Sequence, residues 1–166
     1  MGASLYNIVG FQTHLTWPEQ KRVFSMIPGL DHAKISSYGV MHRNSFISSP
    51  QILNEYYQAK ERPDLFFAGQ ITGVEGYVES TASGMMAGLN MALMLEGKEP
   101  LALGRASSIG AQAYYISHAD PKHFQPLNAN FGIMELKEKC KKKERRDKMA
   151  QNALEAARRG KDVLNG

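Results

Sequence analysis

The stretch that most constrains this chain is LFFAGQITGVEGYVESTASG, residues 65–84, where a short apolar run gives way to Gly69, Gly73 and Gly76 and then to a long helical pattern. The run LFFAG lies between Pro63 and Gly69 and is continuously apolar, the pattern of a strand buried on both faces of a parallel sheet. Residues 77–96 are helical in pattern throughout, and Gly97 supplies the stop. A strand, a bare turn and a helix in succession direct backbone N–H groups and a helix N-terminus at an anion or polar ligand. They do so at the carboxyl end of a strand, where open α/β sheets keep their ligands. Three glycines in the eight residues 69–76 exceed what one tight turn requires, whereas Gly84, Ala87 and Gly88 are equally explained by close packing of the helix. The spacing matches neither G-x-G-x-x-G nor G-x-x-x-x-G-K-S/T, so the pattern alone defines a site without a named ligand.

Around this stretch the sequence reads as a mixture of short elements. LYNIVGF, residues 5–11, has strand composition and follows MGAS, which resembles an added initiator and linker. Thr16 and Glu19 have capping-box spacing, Pro18 suits a first helical turn, and Val23, Phe24 and Ile27 share the inward face of the helix that follows, up to the stop at PGLDH. Residues 33–47 alternate as one or two strands bending at Gly39 and ending before Pro50. Residues 51–63 suit a short helix or an irregular connection. A further helix is predicted from Ser107, then a proline-punctuated segment over 121–132, then a charged helix over 135–159 with one narrow apolar stripe.

Composition narrows the function classes. An apolar fraction of 43% over 166 residues supplies a core for one globular domain or parts of two. The net charge of +4 resides in KEKCKKKERRDK, residues 137–148, and favours an anionic partner only weakly. The single cysteine, Cys140, excludes an internal disulfide and a multi-cysteine metal site, and it points to a reducing compartment. Its lysine neighbours lower a thiol's pKa, but on a charged helix it reads as a solvated side chain. No apolar run approaches the about 18 residues of a membrane span, and no signal peptide is evident. The expected location is the cytoplasm, with no membrane partner. His118, Asp120 and His123 imitate a metal cluster, but they fall in a proline-broken loop and no metal site is expected.

RPDLFFAGQITGVEGYVESTASGMMAGLNMA, residues 62–92, resembles the second flavin-contacting segment of the folate- and FAD-dependent tRNA (uracil-54-C5)-methyltransferases, the TrmFO or Gid family. More distantly it is similar to the tRNA uridine carboxymethylaminomethyl-modifying flavoproteins. The likeness extends to NIVGFQTHLTWPEQKRVFSMIPGL, YGVMHRNSFI and SHADPKHFQPLNANFG, covering about residues 5–132. It implies an α/β fold made of part of a Rossmann-like FAD-binding domain and part of an inserted α/β domain, followed by a C-terminal helix. The implied boundaries are 1–50 for the inserted domain, 51–133 for the FAD domain and 134–166 for the helix.

In that family a flavin reduced by NAD(P)H takes a one-carbon unit from 5,10-methylenetetrahydrofolate and delivers it to C5 of the T-loop uridine of tRNA. Carried over, Gly69 and Gln70 lie by the ribityl and pyrophosphate part of FAD, and the turn Thr72, Gly73, Val74, Glu75, Gly76, Tyr77 faces the isoalloxazine edge. The resemblance also implies that His42, Arg43 and Asn44 line the pocket, Arg43 pairing with an anionic folate or phosphate group. A surface arginine and a core histidine are the plain alternative for the first two. The family's ADP-binding G-x-G-x-x-G turn and its cysteine nucleophile do not occur in this sequence, and Cys140 lies beyond the matching region. The expectation is therefore a carboxyl-terminal portion with no catalytic residue of its own, inactive alone, needing the missing N-terminal part and prone to self-association. The competing expectation is a stand-alone RNA-binding or interaction module that uses the basic helix with Tyr114, Tyr115 and Phe124.

Overall fold

In the computed structural model, which describes residues 5–8, 13–39 and 44–165, the chain divides into two units, Met1–Arg43 and Asn44–Gly166. The first unit is organised by helix α1, Trp17–Phe24, entered through extended Thr16 with proline in its first turn. The capping-box spacing is present but the box does not form. Thr16 makes no side-chain cap, and Glu19 instead pairs with Arg22 at 2.8 Å. Phe24 is buried as expected, while Val23 and Ile27 are half-buried. The unexpected inward residue is Gln20, 1% exposed. Its amide donates to the carbonyls of Leu15 and Gly39, and its oxygen accepts from the Gly39 N–H at 3.0 Å.

That amide accounts for part of a correction, at Gly39. The strands expected over 5–11 and 33–47 do not form at residues 5–8, 33–39 or 44–47, and the remaining positions lie outside the described residues. Gly39's N–H and C=O, which a ladder partner would take, both go to one side chain. Trp17 stacks on Tyr38 with ring centroids 6.1 Å apart and covers the same segment.

In the second unit the elements are α2 (Ser49–Ile52), a 3₁₀ turn (Gly69–Thr72), β1 (Val74–Glu75), α3 (Tyr77–Leu95), α4 (Ser108–His118), β2 (Leu127–Asn128) and α5 (Arg145–Asn165). Strands β1 and β2 pair in parallel, Val74 with Leu127 and Glu75 with Asn128. The LFFAG run is not a doubly buried strand. Its backbone is taken up locally, Ala59 donating to Leu65 O and Phe67 donating to Tyr57 O, with one antiparallel bridge between Gln58 and Phe66. Phe66, Phe67 and Ala68 rest on the core from one side only.

The core gathers Leu53, Tyr57, Val74, Ile116, Leu93 and Phe124. Helix α3 forms over the expected span and ends in a Schellman motif. Gly97, at φ +69°, donates to Met94 O, and Lys98 donates to Leu93 O at 2.9 Å. Asn90 is buried within α3 and meets both backbone groups of Leu101, accepting from its N–H at 2.7 Å and donating to its carbonyl at 3.2 Å. Helix α4 starts where expected, its N-cap Ser107 accepting from the Gly110 N–H at 2.9 Å. Gly110 must lack a Cβ, which would collide with the Gly104 carbonyl.

A smaller cluster of Ala111, Met134 and Met149 seats α5. That helix begins at Arg145, not at residue 135. Lysines three or four residues apart over 137–143 repel on a helical surface, and Met134 is already committed to the cluster. Among the described residues no helix is long and apolar enough to cross a membrane.

Asn90→Ala strands two buried backbone groups, so it should cost about 2–3 kcal/mol in urea unfolding. A loss below about 0.5 kcal/mol would show that the pair is not structural.

Candidate functional site

The glycine stretch is built as a sequence of backbone turns locked from beneath. Gly69, at φ +73°, opens the 3₁₀ turn, and its N–H donates to Ser83 Oγ at 2.8 Å, tying the turn to α3. Thr72 is fully buried, its hydroxyl donating to Gly69 O while its own carbonyl accepts from Ser49 Oγ, both at 2.8 Å. Gly73 follows at φ +85°. Its N–H donates to Gln70 O, and its carbonyl accepts from the Leu127 N–H, both at 3.0 Å. A Cβ there would sit 2.5 Å from Phe124 Cζ, so the ring of Phe124 occupies the space that Gly73 leaves. Val74 and Glu75 then enter the two-stranded ladder.

Gly76, at φ +102°, is the N-cap of α3 and supplies no side-chain cap. The first helical hydrogen bond runs from the Ser80 N–H to Gly76 O at 2.9 Å. The N–H groups of Tyr77, Val78 and Glu79 precede that bond and have no intrahelical acceptor. The positive end of a 19-residue helix is thus held by no side-chain cap, and the Glu79 carboxylate folds back over Gly76 beside it, in the space a Cβ would take. Around it lie Tyr77 at 95% exposure, Val78 at 79% and Ile71 at 40%. An uncapped helix end ringed by exposed apolar side chains suits a ligand that carries both negative charge and a flat apolar body.

The outward face of α3 is unusual in a second respect. Glu79 is the helix's only charged residue, and the face formed by Thr81, Gly84, Met85, Gly88, Met91 and Leu95 is exposed. A Cβ at Gly84 or Gly88 would meet nothing within 4 Å. Packing among the described residues does not explain those glycines, and a helix without a polar face is ordinarily covered.

Of the expected site residues, the structure brings Gly69, Gln70, Thr72, Gly73, Val74, Glu75, Gly76 and Tyr77 into one continuous turn, with Thr72, Gly73 and Val74 buried and Gln70 and Tyr77 exposed. Asn44 is exposed, while His42 and Arg43 lie outside the described residues. Sequence reasoning passed over Ser49 and Ser83, whose hydroxyls hold the turn, and Ser80, whose buried hydroxyl has no hydrogen-bond partner. Serine is common enough in helices that no signal distinguishes these three.

His118 and His123 are engaged separately. His118 stacks on Tyr114 at 4.1 Å, and His123 meets the Asp120 carboxylate at 2.7 Å, holding that carboxyl below its ordinary pKa. Of the aromatic residues offered for a stand-alone RNA module, Phe124 is buried against Gly73, and the Tyr115 hydroxyl is bonded to Gln125 O. Tyr114 is covered by the Arg105 guanidinium at 4.6 Å.

Residues 1–99 match the sequence model of a family described as glucose inhibited division protein A. An Enterococcus faecalis protein named methylenetetrahydrofolate-tRNA-(uracil-5-)-methyltransferase TrmFO is 62% identical over 155 residues, 92% of this chain and 36% of that protein. Proteins of the same name from Ligilactobacillus salivarius and Brevibacillus brevis are 56% and 58% identical, over 96% and 92% of this chain and 37% and 36% of theirs. The chain thus spans little more than a third of the length of these curated relatives. Among solved structures, Aquifex aeolicus GidA in its form II crystal aligns at 26% identity with a TM-score of 0.46, over 67% of this chain and 18% of that one.

Gly73→Ala should destabilise the protein by about 2–4 kcal/mol, combining left-handed backbone strain with the clash on Phe124. Adding Phe124→Leu should recover part of that loss, the clash but not the strain. Unfolding midpoints that do not move in the single variant would contradict the contact.

Proposed function

Because the chain belongs to the glucose inhibited division protein A family, we propose that it is the carboxyl-terminal portion of a methylenetetrahydrofolate-tRNA-(uracil-5-)-methyltransferase, as its relatives are named. In this reading residues 1–50 belong to an inserted α/β domain, 51–133 to a Rossmann-like FAD-binding domain and 134–166 to a C-terminal helical extension. The substrate is the T-loop uridine of tRNA, the one-carbon donor is 5,10-methylenetetrahydrofolate, NAD(P)H is the reductant, and the enzyme works in the cytoplasm.

The observation that carries the reading is the uncapped N-terminus of α3 behind Gly69, Gly73 and Gly76. These residues fit FAD. The N–H groups of Tyr77, Val78 and Glu79, which have no intrahelical acceptor, suit its negative charge once the Glu79 carboxylate swings away from Gly76, and exposed Ile71, Tyr77 and Val78 suit its flat ring. Gly69 and Gln70 border the ribityl and pyrophosphate portion. When bound, the flavin supplies the redox chemistry of the one-carbon transfer. This segment's residues bind and orient it and exclude water from one side, while His42, Arg43 and Asn44 approach the folate or phosphate groups. The nucleophilic cysteine belongs to the rest of the enzyme, so this portion alone is inactive.

The uncharged face of α3 supports the same reading. Thr81, Met85, Met91 and Leu95, with the open space at Gly84 and Gly88, form the seat for the remainder of the enzyme. In the isolated piece the same face favours self-association.

Val78→Asp separates binding from folding, because the two effects have opposite signs. A carboxylate in the first turn of α3 should stabilise the flavin-free protein by about 0.3–1 kcal/mol. The same charge should weaken FAD binding by the full-length enzyme about tenfold or more, read as flavin content after dilution and dialysis. Full flavin retention in a stably folded variant would remove FAD from this helix end.

A further inference from the structure

The basic run over 137–148 has no role in the account so far. It carries eight basic and three acidic side chains, a net +5 that exceeds the charge of the whole chain. On an ordinary solvated helix such charges would alternate in sign and pair at i,i+4. Here residues 137–144 form loop and turn ahead of α5. Among the described residues only Lys148 of the eight has an ion pair, with Glu138 at 3.6 Å. Lys137, Lys139, Lys141, Lys142, Lys143, Arg145 and Arg146 are exposed and unpaired. Their mutual repulsion is offset only in part by Glu138, Glu144 and Asp147 within the run.

Near this run lies an apolar groove of about 730 Å³ between the start of α4, residues 129–134 and α5. Ile109, Phe131, Met134 and Leu154 line it. Phe131 is 47% exposed at its rim, and the Arg146 guanidinium stands 6.0 Å from the ring centroid. Unpaired cations in series meet a polyanion's backbone, and an exposed ring paired with arginine offers a face on which a base stacks. The Arg146 guanidinium over the exposed Phe131 ring, in line with a series of cations, favours a base and its phosphates over an acidic protein partner.

We infer that residues 137–146, together with Phe131 and its groove, form an RNA-contact surface, the lysines and arginines on phosphates and Phe131 against an unpaired base. The inference rests on the reading of the enzyme as tRNA-directed and adds where on this segment the tRNA is held.

Two variants of the full-length enzyme test it through different readouts, with unmodified tRNA titrated at several salt concentrations. Lys141→Glu, Lys142→Glu and Lys143→Glu together should raise Kd about tenfold or more at low salt and reduce the slope of log K against log salt by about 2–3. Phe131→Ala should raise Kd about fivefold or more with the slope unchanged. Unaltered flavin content and a melting temperature no lower than that of wild type establish that both variants are folded. If wild type binds tRNA and both variants match it in Kd and slope, the surface is overturned while the functional reading stands. If the variants lose RNA as expected but wild type methylates no tRNA uridine, the surface stands and the functional reading falls. If wild type binds no tRNA, both fall.

Discussion

The ring of Phe124 lying where Gly73 has no side chain is the contact on which the site depends. It presses the end of the 3₁₀ turn against the segment leading to β2, and the Leu127 N–H then closes on the Gly73 carbonyl. With Gly73 held from that side and Thr72 held by Ser49 from below, the chain has one way to reach Gly76. That fixes where α3 begins and which N–H groups are left open. The bareness of the stretch thus has two physical sources. Gly73 is bare because the Phe124 ring needs its space, and Gly76 is bare because it holds φ +102° with the Glu79 carboxylate lying where a Cβ would go.

Rigidity beneath and openness above are a consistent pairing for a binding site. The turn uses buried hydroxyls of Thr72, Ser83 and Ser49 to satisfy backbone groups, so little entropy remains to be lost when a ligand arrives. The open side is apolar around the helix N-terminus, and α3 continues that apolar character along its uncharged face. A segment with this much uncovered apolar surface is shaped for company. In the proposed enzyme, the flavin and the remainder of the protein supply it.

What could be read from the sequence was what short-range chemistry decides. Helix α3 with its Gly97 stop, α4 with its Ser107 cap and the glycine turn between apolar run and helix all follow from residues a few positions apart. The expected strands fail where a distant partner decides. Gly39's backbone is claimed by Gln20, nineteen residues earlier, and the 65–67 backbone by residues 57–59. The start of α5 was misplaced because helix propensity was weighed without the repulsion among the lysines ahead of Arg145. Within the site, the glycines were legible as a group. The partner of Gly73 was not, since nothing local links it to Phe124, fifty-one residues on.

The central claim is that the N–H groups opening α3 hold the flavin, and amide hydrogen exchange reads those groups directly. In the full-length enzyme with and without FAD, the account predicts that exchange at Tyr77, Val78 and Glu79 slows sharply on binding, together with that of the preceding glycine turn. Equal exchange at those three amides in both states, with protection appearing only elsewhere, would contradict it.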